Sequence, residues 1–510
     1  MRTVCLLTAG TGSRMGKYST VINKALLPIK GKAIISHIIE QFPDDTQFVV
    51  AVGYRKDDVM DYLRAAYPDR NFIFNIVENY EGIGSGPAHS VYCCRKSLEF
   101  AKDGFTLIAC DGLYSDLINL PTDRNVIGIS KVSYEDSINY CNVQVNPYIQ
   151  NLVTAVSDKE YCDYGTAANG VYHFKDATAF FTSLSGSEIS SGYKWLQMHG
   201  HELEWTDLGT EDRYIQYYQS TYASDSYDYS KSNEFLYFVN GRVIKFFSDV
   251  TIAKNRIEKS QDRKYFPKIT YYNNNTYAYM FVPGSTLYER NDLNIFQKFI
   301  TFLHKTVWPD LKTETKLTTE DLTKFYKDKT YQRLEMFEKK YPDFHPKHIN
   351  GKHMHKTMRQ CLERIDWDYL LDVDLENRTA FIHGDLQFDN IIYTGSRFVF
   401  LDWRQDFAGH IQIGDVYYDL AKLVGGMYIN YDLIKKNMFT FKENHDKITY
   451  EYSSRSEYEK MIQYLYMLNL YDMDLIELIV SLIYLNMSPL HKAPYDKMLY
   501  SIALERLNEY

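Results

Sequence analysis

The chain has little in the way of long uninterrupted apolar runs, and it lacks any CxxC pair of the zinc-binding kind, any long basic stretch and any low-complexity tract. Each lack excludes something. The most apolar stretch, Leu475 to Leu485, is short and carries Glu477, so it is expected to be a buried helix and not a membrane span. Seven cysteines, an odd number without framework spacing and with Cys93 and Cys94 adjacent, argue against a disulfide scaffold and for a reducing compartment. Lys and Arg number 57 against 66 Asp and Glu, a net charge of −9, so nucleic acid is not expected as the main partner. The opening MRTVCLLTAG has too short an apolar run for a signal peptide and enters a glycine loop at once, which sets the expectation of a cytoplasmic protein.

What is present is an ordinary globular composition, 45% apolar and 24% charged over 510 residues. That length suits roughly three domain-sized units, or two domains with one subdivided. The 46 tyrosines and 28 phenylalanines are spread along the whole chain, so a tyrosine cluster is weak grounds for a binding cage.

Over the first two hundred residues strand-like and helix-like segments alternate. Thr3 to Leu7, Gln47 to Val52, Asn71 to Ile76 and Phe105 to Ala109 read as strands, and Ala33 to Gln41 and Lys56 to Ala66 as helices. Such alternation predicts an α/β domain with a mixed, mostly parallel sheet, whose ligands bind beyond the carboxyl ends of the strands. From Gln216 to Ser232 the pattern breaks into an irregular, Ser-, Asp- and Tyr-rich stretch that reads as a linker. Glu234 to Val239 and Arg242 to Phe247 then form two β-like runs around Asn240-Gly241, a strong hairpin signal. Residues 291–375 and 411–510 are mainly helical in spacing. The expected division is 1–225 and 226–510, the second part being a bilobal α+β domain with a small lobe over about 226–285 and a helical lobe over about 286–510.

Directly after the first strand come Gly10, Gly12, Ser13 and Arg14, and then Lys24 ahead of LLPI. Glycines there let backbone amides approach phosphate oxygens, and a following helix start adds favourable partial charge. The loop is neither GxxxxGK[ST] nor GxGxxG. Residues 4 to 31 resemble the signature of the sugar-nucleotide and phosphocholine nucleotidylyltransferase superfamily. Three later stations follow in that family's order. GIGSGPAH, with Gly84 and Gly86, resembles its base- and sugar-recognition loop. Asp111 follows the strand FTLIAC, where the family places a metal-binding aspartate. Trp205 to Thr210 resembles its W-x-D-x-G-T element, whose aspartate, here Asp207, is the second metal ligand. Lys159 and Asn169 resemble the stretch that contacts the phosphorylated substrate. Arg14 and Lys24 are then expected to stabilise the leaving pyrophosphate and the α-phosphate, with Mg2+ on the two aspartates.

The string FIHGDLQFDNIIYTGSRFVFLDWRQD carries the second constellation. Asp385 and Asn390 are five residues apart, and Asp402 follows a further β-like run. This is the kinase arrangement in which one aspartate orients the acceptor hydroxyl while the asparagine and the later aspartate hold magnesium. Its wording, His383-Gly384-Asp385 and Asp402-Trp403-Arg404, resembles the choline kinase and aminoglycoside phosphotransferase family. That resemblance implies Lys245 as the nucleotide-binding lysine, Glu258 as its partner, a phosphate-covering loop at 230–233, a hinge at Tyr279 to Val282, and Asp415 and Asp419 as braces of the catalytic loop. Trp403, Tyr417, Tyr418 and Tyr428 are candidate walls for a cationic acceptor, and His491 a further neighbour. Within the set, Trp403 and Tyr418 are the expected substrate contacts.

Together the two resemblances imply a bifunctional enzyme. ATP would phosphorylate a small alcohol, choline or a similar amino alcohol, and the phosphate monoester would then attack CTP, releasing pyrophosphate, for surface-glycan decoration. Two alternatives stand beside it. One is a sugar kinase fused to a sugar-1-phosphate nucleotidylyltransferase. The other is one active domain regulated by an inactive, ligand-binding domain.

Overall fold

The computed structural model describes residues 2–221 and 234–510. The expected boundary at 225/226 and the loop at 230–233 lie outside them. The chain forms two compact units, one of residues up to 221 with 234–250 and 269–281, the other of residues 251–268 and 282–510.

In the first unit nine strands form one sheet. They are β1 (Thr3–Leu7), β2 (Gln47–Val52), β3 (Asn71–Ile76), β4 (Phe105–Ala109), β5 (Asn125–Lys131), β6 (Cys141–Asn146), β7 (Leu152–Asp158), β8 (Thr166–Phe174) and β9 (Met198–Glu202). Their spatial order is β3-β2-β1-β4-β8-β5-β9-β7-β6. The first four run parallel, as does the β5/β9 pair, and the other pairings are antiparallel. Alternation along each strand fills both faces: Val4, Leu6, Phe48, Val50 and Ile108 enter one core. Cys5, Val49, Ala51, Phe105 and Leu107 enter the other. The Lys56–Ala66 helix (α1) buries Val59, Tyr62 and Leu63 against the first face. All seven cysteines are free.

The NG hairpin forms as its sequence dictates. Strands β10 (Glu234–Val239) and β11 (Arg242–Phe247) pair antiparallel, and β12 (Ile269–Asn273) and β13 (Thr276–Met280) complete a four-stranded sheet. By packing, this sheet groups with the first unit, so the small lobe expected over about 226–285 is divided. Tyr237, Val239, Ile244, Phe246 and Ala278 share a core with Leu6 and Ile34. Polar groups pin the seam. Tyr237 donates its hydroxyl to the Leu26 carbonyl at 2.7 Å, and Tyr271 and Asn273 donate to Asp61 at 2.7 and 2.9 Å.

The second unit is mostly helical, with short strands carrying its chemistry: Ile391–Tyr393 pairs with Phe398–Phe400. Leu475 to Leu485 lies in a helix, Met473–Met487, that is largely buried, and Glu477 there accepts from Tyr428 at 2.6 Å. Two expectations are corrected. The stretch expected to be irregular from Gln216 begins as helix, since Glu211–Thr221 is continuous. And a β-hairpin, Phe439–Asn444 with Lys447–Tyr452, interrupts the region read as helical. Its strands alternate polar and apolar residues, a period of two that overrides helical spacing.

Candidate active sites

In the first unit, Gly12 turns the chain with φ 63° into the short 3-10 turn Ser13–Met15, a conformation glycine adopts without strain. Lys24 opens a second such turn, capped by Asn23, whose side chain accepts from the Ala25 amide and donates to the carbonyls of Thr8 and Tyr54. Lys24 Nζ therefore arrives 2.9 Å from Asp111 Oδ2. Burial pushes the Asp111 carboxyl up, but the Lys24 ammonium outweighs it and holds the group below the usual carboxylate range.

A two-stranded ladder brings in the second aspartate. Gly112–Tyr114 pairs with Trp205–Asp207, setting Asp207 opposite Gly112, and the Leu208 amide donates to the Asp111 carbonyl at 2.9 Å. Gly209 marks the meeting point. A methyl group added there would lie 3.0 Å from Asp207 Oδ1, 3.6 Å from Arg14 Nη2 and 3.6 Å from Asp111 Oδ2. Arg14, Asp111 and Asp207, distant in sequence, thus converge on one small cradle. Asp207 also accepts from Tyr140 at 2.7 Å and from Arg213, two partners with no place in the sequence motifs. Among the described residues no group of three or more His, Cys, Asp or Glu side chains is gathered for a metal. Two carboxylates converging with an arginine on one cradle suit magnesium, which takes one or two carboxylates and completes its shell with other oxygens.

The other first-unit positions divide. Gly84 and Gly86 lie in an exposed loop, Gly86 leading into the helix Pro87–Cys93. Lys159 sits on the surface in an ion pair with Glu188 at 2.8 Å, and that bond raises its pKa. Asn169 is buried, donating to Ser130 Oγ at 3.0 Å and accepting from the Val171 amide. Lys245 is buried on β11, with Glu234 at 3.6 Å.

In the second unit the catalytic loop rests on buried charge. Asp419, on the helix Val416–Tyr428 (α2), accepts from the amides of His383 and Gly384 at 2.8 and 2.7 Å. Asp415 accepts from Tyr326 at 2.7 Å and pairs with fully buried Arg378. Asp419 thus holds the loop directly, whereas the bonds of Asp415 go to Arg378, Tyr326 and the Tyr417 amide. His383 is buried as a neutral ring: Nδ1 accepts from the Asp385 amide at 3.1 Å, and Nε2 lies 2.9 Å from the Leu401 carbonyl. Burial moves its pKa down to about 4.

Asp385, about one-third exposed, meets Lys422 Nζ at 2.8 Å. Burial pushes its carboxyl up, but Lys422 prevails and holds it below the usual range. Asn390 Nδ2 donates to the Asp385 carbonyl at 2.9 Å, and the Leu401 amide donates to the Asn390 carbonyl at 2.8 Å, which ties Asn390 to the strand leading to Asp402. Asp402 takes φ 53°, a strained value for a residue other than glycine, and accepts from Arg256 at 2.7 Å. Such strain persists where the surroundings over-determine it. The Asp402 carboxylate and the Asn390 amide oxygen are hard donors of the kind magnesium takes.

The structure corrects the acceptor walls. Trp403 is 0% exposed, packs on Phe266 with ring centres 4.6 Å apart, and donates to the Arg256 carbonyl at 2.8 Å. Tyr417 and Tyr418 are also buried, and Tyr428 is spent on Glu477. Glu258 is exposed on its helix. Lys422 and Arg256 were absent from the motif reading. A lysine three residues after Asp419 on an otherwise apolar helix was the available signal, because a charge on a buried face needs a partner.

Comparison with known proteins gives two family matches. Residues 4–118 match the MobA-like NTP transferase domain, and residues 278–434 match the phosphotransferase enzyme family. The bifunctional protein GlmU of Methanococcus maripaludis is 26% identical over 218 residues, 40% of this chain and 50% of that protein. GlmU of Methanococcus vannielii is 26% identical over 221 residues, 40% and 51% of the two chains. The chain thus spans about half the length of these curated relatives. A solved UDP-glucose pyrophosphorylase complexed with UDP-glucose is 15% identical, with a TM-score of 0.37, over 44% of this chain and 98% of that one. The CTP:phosphocholine cytidylyltransferase from Streptococcus pneumoniae is 17% identical, with a TM-score of 0.33, over 43% and 99%.

Proposed function

Because the chain carries a MobA-like NTP transferase domain at its N-terminal end and a phosphotransferase-family domain in its C-terminal part, we propose that it performs two consecutive transfers on one small molecule. The second domain phosphorylates an alcohol with ATP. The first domain then couples the resulting phosphate monoester to a nucleoside monophosphate, with CTP as the preferred donor, and releases pyrophosphate. The observation that carries this is the pairing of Asp385 with Lys422 in one unit and the convergence of Arg14, Asp111 and Asp207 in the other. A kinase makes a phosphate monoester, and a nucleotidylyltransferase consumes one.

The chemistry matches the residues. In the kinase half the acceptor hydroxyl must be oriented and relieved of its proton, which an ionised Asp385 beside the nucleotide can do. In the other half two anions must meet, so fixed cations and backbone donors matter more than a base, and Arg14 and Lys24 supply the cations. Asp111 and Asp207 in one site and Asn390 and Asp402 in the other would hold magnesium, which would supply charge neutralisation of the phosphates. The amino-alcohol acceptor keeps the choline-kinase-like wording of His383 to Trp403 but loses its aromatic walls, since those side chains are buried or committed. The test is incubation of the purified chain with ATP, CTP, UTP, GTP and magnesium and a panel of alcohols, read by mass spectrometry. A phosphorylated acceptor followed by a nucleotide-linked product is expected. Nucleotide-linked product without any phosphorylated acceptor would refute the sequence of steps.

A further inference from the structure

Four cations, Lys422, Arg404, Lys329 and Arg333, lie near one another on the side of the unit that carries Asp385. Lys422 is the one bonded to it, at 2.8 Å. Arg404 lies across Gly384: a methyl group added to that glycine would fall 2.7 Å from the arginine Cβ. The Arg404 guanidinium then reaches 5.2 Å from the ring centre of Phe325. Lys329 Nζ stands 4.1 Å from the same ring centre. Arg333 follows one turn later on the helix Lys329–Lys340, on the same face. Phe325 belongs to the π-helical turn Thr323–Asp328 that leads into this helix, an irregularity common at functional sites. Its ring is fixed by stacking on Phe407, 3.9 Å between centres, and by the edge of Tyr418 at 4.9 Å.

Among the described residues, only Lys422 of the four has a carboxylate partner. Arg404 donates to the Asp406 carbonyl at 3.0 Å, and Arg333 reaches the Met336 sulfur. Among the described residues the Lys329 side chain makes no hydrogen bond or ion pair, only its contact over the Phe325 ring. Burial, and then the neighbouring Arg404, Lys422 and Arg333, push the Lys329 ammonium well below its usual value, with Asp406 alone opposing. Burial and Arg404 lower Arg333 as well. Like charges held together on a half-buried face are unfavourable unless something neutralises them, and among the described residues no carboxylate pairs with Lys329, Arg333 or Arg404. The missing counter-charge is therefore sought in the ligand.

We propose that the alcohol phosphorylated by the second unit is itself an anion, carrying a carboxylate or phosphate that Lys329, Arg333 and Arg404 hold while its hydroxyl meets Asp385. The proposal rests on the kinase function of this unit and names its substrate class. In the transfer, the hydroxyl oxygen bonds to the γ-phosphorus of ATP as that phosphorus loses its bond to the bridging oxygen of ADP. ADP leaves with the electron pair, and the hydroxyl proton passes to the Asp385 carboxylate. The acceptor's own anion changes no bond; it orients the molecule.

Matched acceptors test the charge directly on the full chain with ATP and magnesium. One series is glycerol, glycerate, glycerol 3-phosphate and serinol; the other is glucose, glucuronate, glucose 6-phosphate and glucosamine. An anionic member should exceed its neutral and cationic counterparts at least tenfold in kcat/KM, and glycerate against glycerol 3-phosphate separates carboxylate from phosphate. Lys329→Gln and Arg333→Gln should each raise the KM for that acceptor about tenfold and leave the KM for ATP within twofold. Preference for choline, serinol or glucosamine, or a rise in the KM for ATP alone, would overturn the proposal. A second readout needs no turnover: the rate of Lys329 acetylation, followed by peptide mass spectrometry, with inorganic sulfate or choline added. Sulfate should slow the labelling at least threefold in the native chain and not in Arg333→Gln. If no acceptor is phosphorylated yet sulfate protects Lys329, the kinase function fails and the anion site stands. If acceptors are phosphorylated but sulfate gives no protection, the anion site fails and the kinase function stands.

Discussion

Both sites are organised around an aspartate held ionised by a lysine, Lys24 to Asp111 at 2.9 Å and Lys422 to Asp385 at 2.8 Å, and there the likeness ends. In the first unit the pair is assembled from loops beyond the strand ends, with Lys24 placed by an Asn23 cap and Asp207 delivered by a two-stranded ladder. In the second, Lys422 projects from a buried helix, and the loop bearing Asp385 hangs from one buried carboxylate, Asp419, while Asp415 pairs with buried Arg378 nearby on the chain. The first site borrows rigidity from a sheet packed on both faces. The second builds its rigidity out of charge, so its chemistry and its stability rest on the same residues.

The largest effect should fall on the base. Asp385→Asn is expected to lower the kinase rate by about 10³-fold, the scale of a lost general base, with nucleotidyl transfer from a supplied phospho-acceptor unchanged. Separate assays of the two steps check this. Asp111→Asn or Asp207→Asn should lower nucleotidyl transfer a few hundredfold, roughly the loss of one electrostatic contact to the transition state, and spare the kinase. Loss of both activities in either variant would show that the two sites are not independent.

The stabilities should differ in the same sense. Asp419→Ala strands the His383 and Gly384 amides and removes the counter-charge of buried Lys259, at a cost of about 3 kcal/mol in urea unfolding of the second unit. A comparable change at exposed Glu204 should cost less than about 0.5 kcal/mol. A pH titration sharpens the comparison, because each unit buries one neutral histidine. His173 and His383 are both lowered by burial to about 4, from an ordinary 6.5. The unfolded chain therefore binds protons first, and the stability these rings contribute is complete above pH 6.5 and lost as pH falls toward 4. By pH 5 each should have withdrawn about 2 kcal/mol from its unit. His383→Phe should flatten that fall in the second unit alone, as followed by thermal unfolding across pH 5 to 7. The smallest effect is expected of Glu258→Gln, less than twofold on kinase kcat/KM, since the side chain faces solvent.

Strand positions were legible where one pattern acted alone. Thr3 to Leu7, Gln47 to Val52, Asn71 to Ile76 and Phe105 to Ala109 stand where their apolar runs end, and Asn240-Gly241 turns the hairpin. The antiparallel half of the sheet was not legible, because a strand's partner depends on contacts far along the chain. The same limit hid the grouping of the four-stranded sheet with the first unit, which rests on pairs such as Tyr237 with Leu26 and Tyr271 with Asp61. Acids with a fixed motif spacing, Asp111, Asp207, Asp385 and Asp402, could be named in advance. Of their basic partners only Lys24 stood in a motif; Lys422, Arg256 and Arg213 reach the acids across turns of structure that motif spacing does not encode. Aromatic residues misled for a compositional reason: in a chain this rich in tyrosine, Trp403 and Tyr418 near a catalytic loop are filling the core.

The central claim is that one phosphate passes through both sites. The most direct measurement follows the γ-phosphate of ATP, isotopically labelled, in a single reaction with CTP, magnesium and the preferred acceptor from the matched series. The label is predicted to end in the diphosphate of the nucleotide-linked product, on the phosphorus nearer the acceptor, and to be absent from the released pyrophosphate. A nucleotide-linked product without label, or label recovered only as pyrophosphate or inorganic phosphate, would contradict the account.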